Sequence, residues 1–303
     1  MTARSSGDLV ADRRYEWARG YAAAGDHAAA ADLYAQALEA APDWLPALVG
    51  LGEARAAAGE ADAAAAAFRR ALALDPADVH GAGLKLAALG AAAAPAAPPA
   101  AYVRGLFDGY ADRFDRALVE DLGYRTPWRL GALLAAVRPD ARFARVLDLG
   151  CGTGLTGAVL RPAADRLEGV DLSPAMVAKA RDKGDYDALA VGDVVDHLAA
   201  AERSFDLVVA ADVFVYLGAL DPVFAAVAAR TLPGALFAFS VEAAEDPDTA
   251  FLLRDSLRYA HGGRAVAAGL AAAGFRVAAA EDGPLRLDRG VPVEGRIVVA
   301  ERV

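Results

Sequence analysis

Three carboxylates stand where short apolar runs end, and the first opens onto glycines at every second position, in Val146-Leu147-Asp148-Leu149-Gly150-Cys151-Gly152-Thr153-Gly154. The second lies in Gly169-Val170-Asp171-Leu172-Ser173 and the third in Gly192-Asp193-Val194. Glycines at such spacing bring bare backbone close to a ligand and permit positive φ, and a helix expected from about Leu155 turns its first amides the same way. The loop pattern alone leaves the ligand open, because Gly152, Gly154 and Gly157 also satisfy the G-x-G-x-x-G of dinucleotide enzymes. Charge discriminates between the ligands. A carboxylate at the strand end, Asp148, accepts from an ammonium group and repels a pyrophosphate. That favours S-adenosylmethionine (AdoMet), which carries an α-ammonium and no phosphate, over NAD.

Asp171 is placed to accept from two ribose hydroxyls, which both ligand classes want. Asp193 suits the adenine amine, with the Val194 amide near a ring nitrogen, and Leu172 and Met176 are apolar groups able to sandwich the base. Any one of these acids alone would be an ordinary strand-end or helix-cap residue, and Ser173-Pro174 is a helix start in its own right; their order and spacing carry the reading. Ligands of open α/β sheets gather at the carboxyl ends of strands, so acceptor-site residues are expected after strands four and five. Asp212 and Glu242 there could bind a substrate amine, Glu242 being as readily a turn residue. His261, with Tyr259, falls in a segment read as helical before the sixth strand, and a histidine that titrates near neutrality suits a base. Arg286 and Asp288 read as an exposed turn pair.

These residues need an α/β framework. Strands are expected near 145–149, 167–170, 188–191, 207–211, 235–241, 275–280 and 296–300, with helices between most of them. Between the last two there is only Asp282 to Glu294, with two glycines and two prolines, which reads as a hairpin reversing one edge of the sheet. Upstream, residues 11–44 superimpose on 45–78: Trp17 with Leu51, Ala18 with Gly52, Gly25 with Gly59, Tyr34 with Phe68, Pro42 with Pro76. That period, about 34 residues, is tetratricopeptide-like. The expected domains are thus a helical repeat over 11–90, an Ala/Pro linker over 91–100, and an α/β domain over 101–303. Within 101–140, Phe107, Tyr110 and Phe114 recur at helical spacing and read as a lid over the ligand, with Tyr110 nearest to it.

Residues 101–303 resemble a class I AdoMet-dependent methyltransferase, and with the repeat the whole chain is similar to tetratricopeptide-containing methyltransferases. The resemblance implies a Rossmann-like seven-stranded sheet whose last strand is antiparallel. It implies that Asp148, Gly150, Gly152 and Gly154 hold the methionine end of AdoMet, that Asp171 takes the ribose and Asp193 the adenine, and that 212–214 lie beside the sulfonium. Tyr110, Cys151, Leu172, Met176, Gly192, Val194, Ala210 and Phe214 complete the expected cofactor set, and His261, Tyr259 and Asp212 the catalytic one. The product would be S-adenosylhomocysteine (AdoHcy) and the acceptor a small molecule. A protein partner could be recruited by the repeat, which leaves open a protein or carrier-bound acceptor, or a scaffold that binds AdoMet without turnover.

Composition narrows the rest. The 303 residues include 41 acidic and 31 basic ones, a net charge of −10 that repels nucleic-acid phosphates. A single cysteine, Cys151, leaves no disulfide and no metal cluster. No apolar run has the length of a membrane span and the N-terminus has no signal-type apolar core, so the expected location is the cytoplasm.

Overall fold

A computed structural model describes residues 5–109, 123–288 and 290–303. Tyr110 and Phe114 of the expected lid lie outside the described residues. The chain divides into two units, Met1–Tyr102 and Val103–Val303.

The first unit is helical, with α1 (Leu9–Ala23), α2 (His27–Ala40), α3 (Leu45–Ala57), α4 (Ala61–Leu74) and α5 (Ala82–Ala88). Asp8 caps α1 by accepting from the Val10 and Ala11 amides, and Asp26 caps α2 through the Ala29 amide. Gly25 and Gly59, one period apart, follow α1 and α3 in left-handed conformation, at φ +84° and +82°. The helices meet at bare backbone. A Cβ on Gly52 of α3 would lie 2.4 Å from the Phe68 ring of α4, and one on Gly50 would lie 2.6 Å from Tyr34 of α2. Both rings are buried and cannot swing aside. Gly52→Leu is therefore expected to cost about 2–3 kcal/mol through overpacking, read as a lower midpoint of thermal unfolding for the helical unit. On α1, Trp17 and Tyr21 are exposed.

In the second unit apolar residues follow one another along the central strands, so both faces of the sheet require a helical cover. After α6 (Ala100–Asp108) and α7 (Thr126–Val137) come β1 (Val146–Leu149), α8 (Leu155–Leu160), β2 (Leu167–Asp171), α9 (Pro174–Lys183), β3 (Ala188–Val191) and α10 (Val194–Ala200). There follow β4 (Phe205–Ala210), α11 (Asp221–Ala229), β5 (Thr231–Ala243), β6 (Leu252–Leu253), β7 (Tyr259–His261), α12 (Gly263–Ala272), β8 (Phe275–Asp288) and β9 (Val291–Arg302). Strands β1 to β5 are parallel in the order β3-β2-β1-β4-β5. β9 runs antiparallel against β5, and β8 pairs with β9 as a hairpin.

One face carries Leu147, Leu149, Val208, Ala210, Phe237 and Phe239 against Leu198, Phe224, Val227 and Leu270 of α10, α11 and α12. The other carries Val146, Leu207, Val209, Leu236 and Ala238 against Leu130, Leu134 and Leu160 of α7 and α8. By the period of two, Asp148 points to the α7–α8 face.

The sheet has nine strands where seven are expected. The two extra ones, β6 and β7, occupy the segment of Tyr259 and His261 that the sequence suggests is helical. The cause is the length of β5. Strand β4 ends opposite Phe239, while β5 runs on to Ala243. Glu242 pairs with Gly295 of β9 on one side, so its other edge, past the end of β4, is open and is taken by Ala260 of β7. Strand β6 then pairs with β7 across a turn in which Leu257 has φ +58°. No described helix is long and apolar enough to cross a membrane.

Candidate functional site

The glycine loop leaves β1 with Gly150, Gly152 and Gly154 all at positive φ, 63°, 53° and 90°. Space is as tight as conformation: a Cβ on Gly150 would lie 2.5 Å from Val213, just past β4. Asp171, at the end of β2, ties the loop down, its two carboxylate oxygens accepting from the Gly152 amide at 2.9 Å and the Ser173 amide at 2.8 Å. Burial raises its pKa against the pull of those amides.

Asp148 is 1% exposed, and its Oδ2 accepts from the Tyr186 hydroxyl at 2.6 Å. No cation pairs with it among the described residues. Burial pushes its pKa up to about 7, the Tyr186 hydroxyl opposes that rise, and Asp171 adds to it. A carboxyl held among a phenol and a second acid is a site of unmet negative charge. Cys151, in the same loop, is buried and its thiol is pushed well above 9, so it stays protonated.

The other expected cofactor residues fall in two groups. Leu172 follows β2 half-buried, Gly192 donates its amide to the Asp171 carbonyl at 2.9 Å, and Asp193 caps α10 by accepting from the Val195 and Asp196 amides, with Val194 as the helix's first residue. Met176 and Ala210, by contrast, are wholly enclosed by protein. Phe214 is enclosed as well. Its ring is fully buried, 5.2 Å from Phe239 and 6.1 Å from Phe237, in the core beneath α11. The residue of that stretch which meets the glycine loop is Val213.

Beyond β4 the backbone is strained, with Asp212 at φ +58°. Its amide donates to Ser240 Oγ at 2.8 Å, and its Oδ2 accepts from Arg286 Nη1 at 2.9 Å. Arg286 Nη2 donates to Glu242 Oε1, whose other oxygen lies 3.6 Å from Arg254. Arg286 is thus buried between two carboxylates and is not part of an exposed turn pair, because β8 runs through Asp288 and carries it into the sheet. The charges of Asp212 and Glu242 are answered by arginine. Tyr124, ahead of α7, is buried near Asp148, Asp212 and Arg286, and burial holds its phenol well above 10.

His261 and Tyr259 lie on β7, both buried. His261 Nε2 is 3.0 Å from the Gly218 carbonyl, which can only accept, so that nitrogen carries the proton. Its Nδ1 is buried without a hydrogen-bond partner among the described residues. Burial lowers the histidine's pKa, against the Gly218 and Leu217 carbonyls, and raises that of Tyr259 to about 12.

Helix α6 spans this ground. Arg104 Nε donates to the Leu172 carbonyl at 3.2 Å, Asp108 accepts from Ser173 Oγ at 2.5 Å, and the Phe107 ring stands 5.3 Å from Tyr216, past β4. Its end therefore runs from the tip of β2 toward that of β4, which flank β1 on either side.

Sequence reasoning missed Tyr186 and Tyr124, while Val213 lies within the 212–214 stretch that it singled out. For Tyr186 a signal did exist. Cβ atoms on Gly154, Gly157 and Gly169 would lie 3.1, 2.4 and 2.9 Å from its ring, so Gly157, which completes the dinucleotide pattern, makes room for a tyrosine.

The family model for "Methyltransferase domain" matches residues 146–234. Among curated relatives, the chain is 33% identical over 128 residues to magnesium-protoporphyrin O-methyltransferase of Rhodobacter capsulatus, covering 40% of this chain and 53% of that protein. It is 36% identical over 105 residues to methyltransferase-like protein 27 of Homo sapiens, covering 34% and 42%. The chain spans about half the length of the curated relatives it matches. Among solved structures, magnesium protoporphyrin IX methyltransferase of Synechocystis PCC 6803, with bound SAH, superimposes with a TM-score of 0.52 at 22% identity, over 67% of this chain and 99% of that one. The N-methyltransferase NodS of Bradyrhizobium japonicum WM9, in complex with SAH, gives 0.53 at 16% identity, over 66% and 97%. The second unit has their fold.

Proposed function

We propose that this chain, whose residues 146–234 match a methyltransferase domain, is an AdoMet-dependent methyltransferase acting on a small-molecule acceptor. One observation carries the reading: Asp148 is a buried carboxylate at a strand end, against a glycine loop, with no cationic partner among the described residues. Such a group attracts the ammonium of AdoMet and repels a diphosphate. The residues fit that cofactor: Asp148 and the loop would hold its methionine end, Asp171 with its remaining lone pairs the ribose, and Gly192, Asp193 and Val194 with Leu172 the adenine.

When bound, AdoMet supplies an electrophilic methyl on a sulfonium, and its transfer leaves the thioether AdoHcy. The chain's own task is to hold a nucleophile in line, which supplies much of the rate. Arg286 locks the strained Asp212 turn through its carboxylate, and α6, running from the tip of β2 toward that of β4, would help to shield the strand ends. His261, neutral and with its lone pair on Nδ1, is the group suited to take the acceptor's proton. Tyr259, a protonated phenol on the same strand, and Asp212 would complete the proposed acceptor site.

The first unit we read as tetratricopeptide-like, an interpretation supported by Gly25 and Gly59 one period apart and by the Gly50–Tyr34 and Gly52–Phe68 contacts. Its exposed Trp17 and Tyr21 would suit a protein partner or carrier. With AdoMet labelled on the methyl group and a small-molecule extract, the enzyme is expected to transfer label, and Asp148→Ala is expected to lose all of it. Equal background in both proteins would mean a binder without turnover. Label recovered on protein instead would move the acceptor to a protein or carrier.

A further inference from the structure

We propose that Tyr186 is a positioning residue for the cofactor: its hydroxyl clamps one oxygen of Asp148 and fixes the carboxylate that receives the ligand's ammonium. The inference rests on the AdoMet reading and deepens it. Tyr186 precedes β3, yet its ring sits beneath the glycine loop, against Gly154, Gly157 and Gly169, and its hydroxyl reaches Asp148 Oδ2 at 2.6 Å. Three glycines, one in the loop, one on α8 and one on β2, are thus accommodated to one side chain. A side chain that served only to fill space would not need to be a phenol aimed at the single buried carboxylate of β1.

The groups facing Asp148 are Tyr186, Asp171 on β2, Cys151 in the loop and Tyr124 ahead of α7. Burial and the charge of Asp148 push the Tyr186 phenol well above 10, so it remains a donor while Asp148 titrates. Its hydrogen bond favours the carboxylate over the carboxyl, the form an ammonium requires. The bond also takes one oxygen and leaves Oδ1 for the ligand, which sets the carboxylate's orientation without competing for its charge.

Tyr186→Phe keeps the ring and removes only the donor. The test is calorimetric affinity from about pH 6 to about 8.5, for AdoHcy and for 5′-methylthioadenosine, which lacks the amino-acid end. In the native protein AdoHcy affinity is expected to rise with pH through a midpoint near the Asp148 pKa of about 7. In Tyr186→Phe the midpoint should move up by about one unit, making AdoHcy about fivefold weaker at pH 7 and less than about twofold weaker at pH 8.5. Affinity for 5′-methylthioadenosine should not change. Coincident AdoHcy profiles, or an equal loss for 5′-methylthioadenosine, would assign Tyr186 to packing alone and overturn the inference. Native protein that binds neither nucleoside would overturn the AdoMet reading itself, and this inference with it.

Discussion

Asp148→Asn is expected to weaken AdoHcy by about a hundredfold or more while making the free protein more stable above neutral pH. The binding loss follows from replacing the one charged partner of an ammonium in a buried site, where a charge-assisted contact is worth about 1.5–3 kcal/mol and an unpaired charge costs more. The stability gain has the opposite origin. Burial raises the Asp148 pKa from 3.8 to about 7. An acid whose folded pKa exceeds its unfolded one destabilises the fold increasingly as pH rises from the unfolded value to the folded one, and by a constant amount above it. That penalty is on the order of a few kcal/mol. Asparagine keeps the shape and an accepting oxygen for Tyr186 without the charge. Thermal unfolding at about pH 8 should show a midpoint several degrees above native, and at about pH 4 the two proteins should coincide. A variant that is both less stable at about pH 8 and unimpaired in binding would remove Asp148 from the site.

The second large effect belongs to Arg286. Its guanidinium joins Asp212 and Glu242, and both it and Glu242 are 2% exposed at the side chain. Among the described residues, Arg286→Leu leaves Glu242 with only Arg254 at 3.6 Å and Asp212 with only the Ser240 hydroxyl, which meets both its carboxylate and its amide. Removing one member of such a cluster costs about 3–5 kcal/mol, because buried charge is left uncompensated. For a unit of this size the unfolding midpoint should fall by roughly 10 °C. Arg286→Leu combined with Glu242→Leu should recover at least about half of the loss, since the charges then leave together. If the single variant unfolds within about 2 °C of native, the cluster does not hold the end of β5 to the hairpin.

Several parts of this architecture were legible because local rules and tertiary demands agreed. The glycine loop, the five parallel strands and the reversed hairpin show in the sequence as apolar runs broken by glycine and acid. Asp148 was readable because a charged residue inside an apolar strand needs a reason. The direction of the Phe214 ring was not legible, because proximity in sequence to a strand end does not say which face a ring takes, and here the ring lies beneath α11. Tyr259 and His261 looked helical since a strand of three residues, created by the overhang of β5 past β4, has no period to detect. Arg286 looked exposed for a related reason: Gly283 and Pro284 suggest a turn, yet β8 passes through them with a register shift and continues to Asp288. Tyr186 is a lone aromatic before an apolar run, and only the glycines it faces betray it.

The account turns on the charge of one buried strand end, and calorimetric titration of the native protein at about pH 8 with AdoHcy and, separately, with NAD tests it most directly. Saturable one-site binding of AdoHcy with no heat from NAD is the predicted result. NAD binding, or no response to AdoHcy, would contradict it.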